Sequence, residues 1–259
     1  MQSTATKRPP FVHAVRSEWT KITTLRSSRY LLVAVFAAAL GLDVLLAWLG
    51  RDDAQRPGDF DIAAYSLSGL PLGQLAAGIF GAHTLSSEYS SGSIRSSLAV
   101  QPARGRLFAA KLAADAAILV GCALVTVAVS YLAGRHYLAG RGLPTGLDAK
   151  SLRQLAGGLV TMSGWGLMGL GLAALMRTPA RAISGVFALY LALPVVLAIV
   201  SFDVSEYSPT ALGDVLWMQV EPGQAPSLPV AAAGFLVYAA AVVGLGAARF
   251  TTADVSVED

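Results

Sequence analysis

One cysteine, three histidines and a charged fraction of 14% are the scarcities that first narrow this chain of 259 residues. The lone Cys122 sits in an apolar run, so no intrachain disulfide forms and the thiol reads as a small packing residue. His13, His83 and His136 fall in three separate segments without ligand spacing, which argues against a metal centre. No G-x-x-x-x-G-K-[ST] phosphate loop occurs, so the chain itself is not expected to hydrolyse ATP. A G-x-G-x-x-G string does occur, from Gly164 to Gly169. It lies inside an apolar run, with neither a preceding strand nor an acidic residue for a ribose, and reads as close helix packing by small residues. Gly69 and Gly73 read the same way. Strand alternation is absent, and no cleavable leader pattern precedes the first long apolar run.

What the chain has in abundance is apolar length. Hydrophobic residues make up 54% of it and the mean hydropathy is +0.58. The net charge of +3 does not signal a nucleic-acid partner, because the cations are spread over loops and helix ends rather than gathered on one face. Six apolar spans, at 30–50, 62–83, 108–133, 152–176, 182–201 and 228–248, each approach the roughly 20 residues that a bilayer core needs. Backbone polar groups in lipid must be satisfied internally, so the spans are helices. The fold class expected is therefore an all-α integral membrane protein. Residues 1–29 form an N-terminal segment, 30–248 the six-helix domain and 249–259 a C-terminal tail.

Cation placement sets the orientation. The N-terminal segment, the loop 84–107 with Lys111, the turn 177–181 and Arg249 together hold thirteen of the 19 Lys and Arg; the opposite loops hold six. That asymmetry puts both termini and the 84–107 loop on the cytoplasmic side. The opposite loops carry Asp52, Asp53, Asp59 and Asp61, then Asp203, Glu206, Asp214 and Glu221. The last of them, 202–227, is expected either to hold a short helix around Leu212–Val220 or to be an irregular loop. Pro194 is expected to kink the fifth span.

Two polar stretches stand out. Between Phe11 and Ser28, Val12, Val15, Trp19, Ile22 and Leu25 recur at helical steps, with Arg16, Glu18, Lys21 and Arg26 off that stripe. The pattern predicts an amphipathic helix in the plane of the lipid interface, with Trp19 at headgroup depth. The second stretch runs from Glu88-Tyr89 through Gly92, Ile94, Arg95 and Leu98 to Pro102, Arg104, Arg106 and Lys111. Gly92 permits a sharp turn, Ile94 and Leu98 give a short helix one apolar stripe, and Pro102 ends it.

These two stretches resemble motifs of ABC-2 type permeases, the membrane subunits of ABC exporters common in high-GC Gram-positive bacteria. Ser17-Glu18-Trp19-Thr20-Lys21 with Arg26 is similar to the family's E-W-x-K-x-x-x-x-R connecting helix. Glu88-Tyr89-Ser90-Ser91-Gly92-Ser93-Ile94-Arg95, then Leu98 and Pro102-x-Arg104, resembles its E-Y-x-x-G-T-x-R-x-x-L-x-x-x-P-x-R loop, with Ser93 in place of threonine. The resemblance implies a multi-pass protein of the bacterial plasma membrane. It implies two separate ATPase subunits, which carry ATP and Mg, and a second permease copy or paralogue. It also implies export of a drug, lipid or peptide, and coupling to the ATPase through Glu88, Tyr89, Gly92, Ile94, Arg95, Leu98 and Arg104. Glu88 and Arg95 are expected to make polar contacts with the ATPase, and Ile94 and Leu98 to enter its groove.

Two carboxylates lie within spans, where charge is costly. Asp115, one turn after Lys111, is expected to pair with it. Asp43 has no partner nearby in sequence; it faces a polar cavity or subunit interface, or else snorkels to the outer headgroups. An ion-coupled secondary transporter, and a membrane enzyme or scaffold without an ATPase, are the rival readings.

Overall fold

The computed structural model describes residues 10–49, 61–138, 146–218 and 225–252. The sequence expectations for 1–9, for Asp52, Asp53, Asp59 and Glu221, and for the tail beyond Thr252 lie outside the described residues. No strand occurs among the described residues; the chain is helical.

Glycine decides where the axis lies. The helix α7 (Ala149–Met176) carries Gly157, Gly158, Gly164, Gly166, Gly169 and Gly171. A Cβ on Gly169 would run into the carbonyl of Gly78, and one on Gly81 into the carbonyl of Gly166. Two backbones therefore touch along α7 and α4 (Leu70–Ser90). On another side of α7, Gly171 meets Gly246 of α12 (Leu228–Thr252) in the same manner. Small residues allow such approach, and close backbones provide the dispersion contacts that hold helices together where lipid offers no hydrophobic drive. The apolar window of α7 is 72% buried, against 11% for α12. The G-x-G-x-x-G string is thus helix packing.

Five helices are long and apolar enough to cross a membrane among the described residues. They are α2 (Arg26–Leu49), α6 (Arg104–Leu138), α7, a rod running from Pro179 to Val200, and α12. The sixth long helix, α4, spans 21 residues and is buried beside α7, with Gln74, Ser86 and Glu88 among its buried residues. The expected span beginning at Ile62 is broken. The helix α3 (Ile62–Ser66) stops short of Leu70, and Asp43 of α2 accepts the Gly69 N–H at 2.6 Å across the break. Asp61 caps α3 by accepting from Ala63 and Ala64 N–H, both at 3.1 Å, the usual role of an N-cap carboxylate. Its other oxygen takes Gln154 at 2.7 Å and Lys150 at 3.0 Å, tying α3 to α7.

The rod 179–200 consists of α8 (Pro179–Phe187), a π-helical turn Ala188–Ala192, and α9 (Leu193–Val200). Pro194 has no N–H to give the Tyr190 carbonyl four residues back. Thr210 Oγ1 donates to that carbonyl at 2.9 Å instead. Thr210 belongs to α11 (Pro209–Trp217), which follows the short α10 (Phe202–Ser205). The described part of the 202–227 segment thus holds two short helices, and α11 packs against α7 and α12. Tyr190 continues the chain of bonds inward. Its hydroxyl donates within reach of Pro71 O at 3.0 Å and Gln74 Oε1 at 3.1 Å, and Gln74 Nε2 donates to Thr161 at 3.0 Å.

Candidate coupling site

The local chain at the end of α4 folds as its residues dictate. Gly92 adopts φ +73, the left-handed conformation that ends a helix and that residues with a Cβ avoid. No atom approaches within 4 Å of the place a Cβ would take, so backbone strain alone favours glycine here. The helix α5 (Ser93–Val100) follows, and Gln101, Pro102 and Ala103 separate it from α6.

The helix α1 (Phe11–Thr24) runs beside it. Its apolar stripe is divided between the protein and the exposed side. Val15, Glu18 and Ile22 face the protein, while Val12, Trp19 and Leu25 stay exposed. Arg26 does not belong to α1: an extended residue, Leu25, intervenes and Arg26 opens α2.

Glu18 is buried because its charge is met. Lys111 Nζ donates to Glu18 Oε2 and to Glu88 Oε1, each at 2.6 Å. Lys21 Nζ donates to Glu18 Oε1 at 2.7 Å and lies 3.4 Å from Glu88 Oε1. Ser97 of α5 closes the ring, taking Lys21 at 2.9 Å and donating to Glu88 Oε2 at 3.3 Å. Two ammoniums and two carboxylates thus join α1, α4, α5 and α6. Desolvating such charges is costly, and the arrangement holds only because every member is paired and hydrogen-bonded.

Four expectations change on this geometry. Glu88 is not exposed to a partner; it is 8% exposed and fully engaged within the chain. Ile94 is 2% exposed and enters an apolar cluster with Leu85, Leu107, Phe108 and Phe250, so it anchors α5 rather than projecting from it; Leu98 packs partly on the same cluster. Lys111 turns to the two glutamates rather than to Asp115, whose Oδ2 lies 2.7 Å from the Thr84 hydroxyl. Asp43 neither snorkels nor faces an open cavity. It is buried, and besides Gly69 it accepts Ser130 Oγ of α6 at 2.6 Å.

What remains outward on α5 is Ser93, Arg95, Ser96, Ala99 and Val100. Between α1 and α5 lies a groove of about 250 Å³ bordered by His13, Ala14, Ser17, Ser96, Val100 and Leu107. Tyr89 lies under the Arg177 guanidinium, 5.8 Å from ring centroid to Cζ, which links the loop to the turn after α7. Arg104 begins α6 and is half-buried. Sequence reasoning missed Ser97 and Thr84; both are hydroxyls one or two turns from the charged residues, but only the fold shows which charge each meets.

No curated protein matches the chain. The sequence model of a family described as "ABC-2 family transporter protein" matches residues 20–255, which takes in the whole α4–α5–α6 junction and nearly all of the described helices. With its several membrane-length helices, the chain belongs to the ABC-2 family, as the multi-pass permease subunit of an ABC transporter.

Proposed function

We propose that the chain forms the substrate pathway of an ATP-driven exporter and receives its motion through α5. The observation that carries this reading is the ring of Glu18, Lys21, Glu88, Ser97 and Lys111. A force applied to α5 is transmitted to α1, α4 and α6 together, because charge pairs in a dry environment separate only at high cost. Rigid-body tilting of these helices against a partner would open a path between two permease copies.

In this reading two ATPase subunits seat on the exposed surface of α5 and the neighbouring groove, with Arg95 and Ser96 as polar contacts and Val100 as the apolar one. ATP and Mg stay on those subunits, and this chain performs no hydrolysis. Both termini face the cytoplasm of a bacterial cell, in line with the cation count. The α4 helix completes six crossings. Residues 11–24 lie in the interface, with Trp19 among the headgroups. The cargo is a drug, lipid or peptide, since an apolar path suits all three.

Purification of the tagged chain from native membranes tests the reading. A stoichiometric nucleotide-binding partner is expected, whose ATPase activity responds to the permease. Arg95→Glu is expected to abolish co-purification while leaving the thermal midpoint of the permease unchanged. A chain that purifies without any ATPase, or a variant that retains full coupling, overturns it.

A further inference from the structure

The opening turn of α2 carries a charge that the fold does not answer. Arg26 and Arg29 are the only cations of this helix, three positions apart and therefore on one side of it, and both are exposed. Among the described residues neither has a carboxylate within salt-bridge distance. The acids nearest in sequence are engaged elsewhere. Glu18 is buried between Lys21 and Lys111, and Asp43 is held further along α2 by Gly69 and Ser130. The Arg29 guanidinium lies over the Tyr30 ring, 5.6 Å from its centroid.

What lies below the arginines narrows the choice of partner. Because α2 is a membrane-length helix, its first turn sits where headgroups give way to hydrocarbon. Tyr30 is 63% exposed and Val33, one turn deeper on the same side, is 61% exposed. A water-soluble partner can meet the arginines but not follow the helix down to Val33, since that depth belongs to acyl chains. A second copy packed symmetrically through this face would set arginine against arginine. An occupant that matches both levels has an anionic head and an apolar tail.

We propose that Arg26, Arg29 and Tyr30 form a site for one anionic phospholipid, with the arginines on its phosphate, Tyr30 at the level of the glycerol and an acyl chain along Val33. Each cation beside an anionic lipid favours it roughly fivefold, so the pair gives a preference of about 25-fold over a zwitterionic lipid. Only Leu25 separates α1 from α2, so a lipid held here also fixes the depth of the elbow between them. The inference needs α2 to cross the bilayer. It does not depend on the exporter reading or on the leaflet in which α2 begins.

Native mass spectrometry of the purified full chain, offered phosphatidylglycerol and phosphatidylcholine at equal concentration, tests the site. Phosphatidylglycerol is expected to bind about 25-fold more tightly. That preference should shrink as ammonium acetate rises from about 0.05 to 0.5 M, a result that needs no variant. Arg26→Gln combined with Arg29→Gln should bring the two lipids to parity and leave the thermal midpoint in neutral detergent unchanged, whereas Arg26→Lys with Arg29→Lys should keep the preference. Equal affinity of the wild type for both lipids overturns the proposal, as does a preference that survives the double glutamine variant. Displacement of phosphatidylglycerol by an equal concentration of glycerol phosphate would mean a site for a free anion, and loss of a co-purifying protein in the glutamine variant without any lipid preference would give the arginines to that protein; either result also rejects the lipid. An ATPase that co-purifies with a chain showing no lipid preference removes this inference alone and leaves the exporter reading standing.

Discussion

Two polar assemblies hold this helical molecule, and they are built from different chemistry. At the loop end, Glu18, Lys21, Glu88 and Lys111 carry full charges at 2.6–3.4 Å. At the other, Thr210, Tyr190, Gln74 and Thr161 form a chain of neutral hydrogen bonds at 2.9–3.1 Å running from α11 to α7. Charge pairs are strong but all-or-none: remove one member and its partner is stranded. Neutral bonds are weaker and each loss is local. The loop end is therefore suited to move as one piece, and the α11 end to yield step by step.

Breaking the charged end should give the largest effect. Lys111→Met removes the buried ammonium and leaves Glu18 and Glu88 only the partly exposed Lys21 to share, and a loss of about 3–5 kcal/mol is expected, read as a collapsed melting midpoint in detergent. Lys21→Met should cost much less, because Lys21 is partly exposed and Lys111 still serves both carboxylates. At the neutral end, Gln74→Leu leaves the Thr161 and Tyr190 hydroxyls without their side-chain partner, for about 1–3 kcal/mol by the same measurement. Thr210→Val removes only the bond to the Tyr190 carbonyl and should cost about 1 kcal/mol. If Gln74→Leu proved as damaging as Lys111→Met, the contrast between the two assemblies would be lost.

The smallest expected effect lies at Asp61, beyond both assemblies. Burial works to raise its carboxyl, but the Ala64 N–H, Gln154 and Lys150 together hold it below the usual carboxylate range. A lowered value means the folded chain binds fewer protons, so this stabilisation is full above the ordinary carboxylate value and fades as pH falls through the lower, folded one. A melting series at acid pH should show a shallow loss that Asp61→Asn removes.

The comparison also separates what sequence could reveal from what it could not. The α5 helix was legible because its signals are local: Gly92 and Pro102 bracket it within eleven residues. The small-residue reading of Gly164–Gly169 held for a similar reason, since glycine at helical steps reports close approach wherever the partner is. The inward face of α1 was not legible. Periodicity put Val12, Val15, Trp19, Ile22 and Leu25 on one stripe for the lipid interface, yet Val15 and Ile22 pack on the protein beside Glu18 while Val12, Trp19 and Leu25 stay exposed. Glu18 looked solvent-directed because its partner Lys111 lies 93 positions away. Asp115 was assigned to Lys111 by spacing, and lost it to two glutamates supplied by other helices.

Asp43 imposes an order on biogenesis. Its partners Gly69 and Ser130 lie 26 and 87 positions later in the chain. When α2 first leaves the ribosome it presents an unsatisfied carboxylate, at a price of about 3 kcal/mol for lateral entry into lipid. At roughly 5–20 residues per second, Ser130 is made several seconds afterwards. The first span should therefore linger in the insertion machinery until α6 arrives. Stalled chains ending before Ser130 are expected to crosslink to that machinery through α2, and Asp43→Leu to release them early.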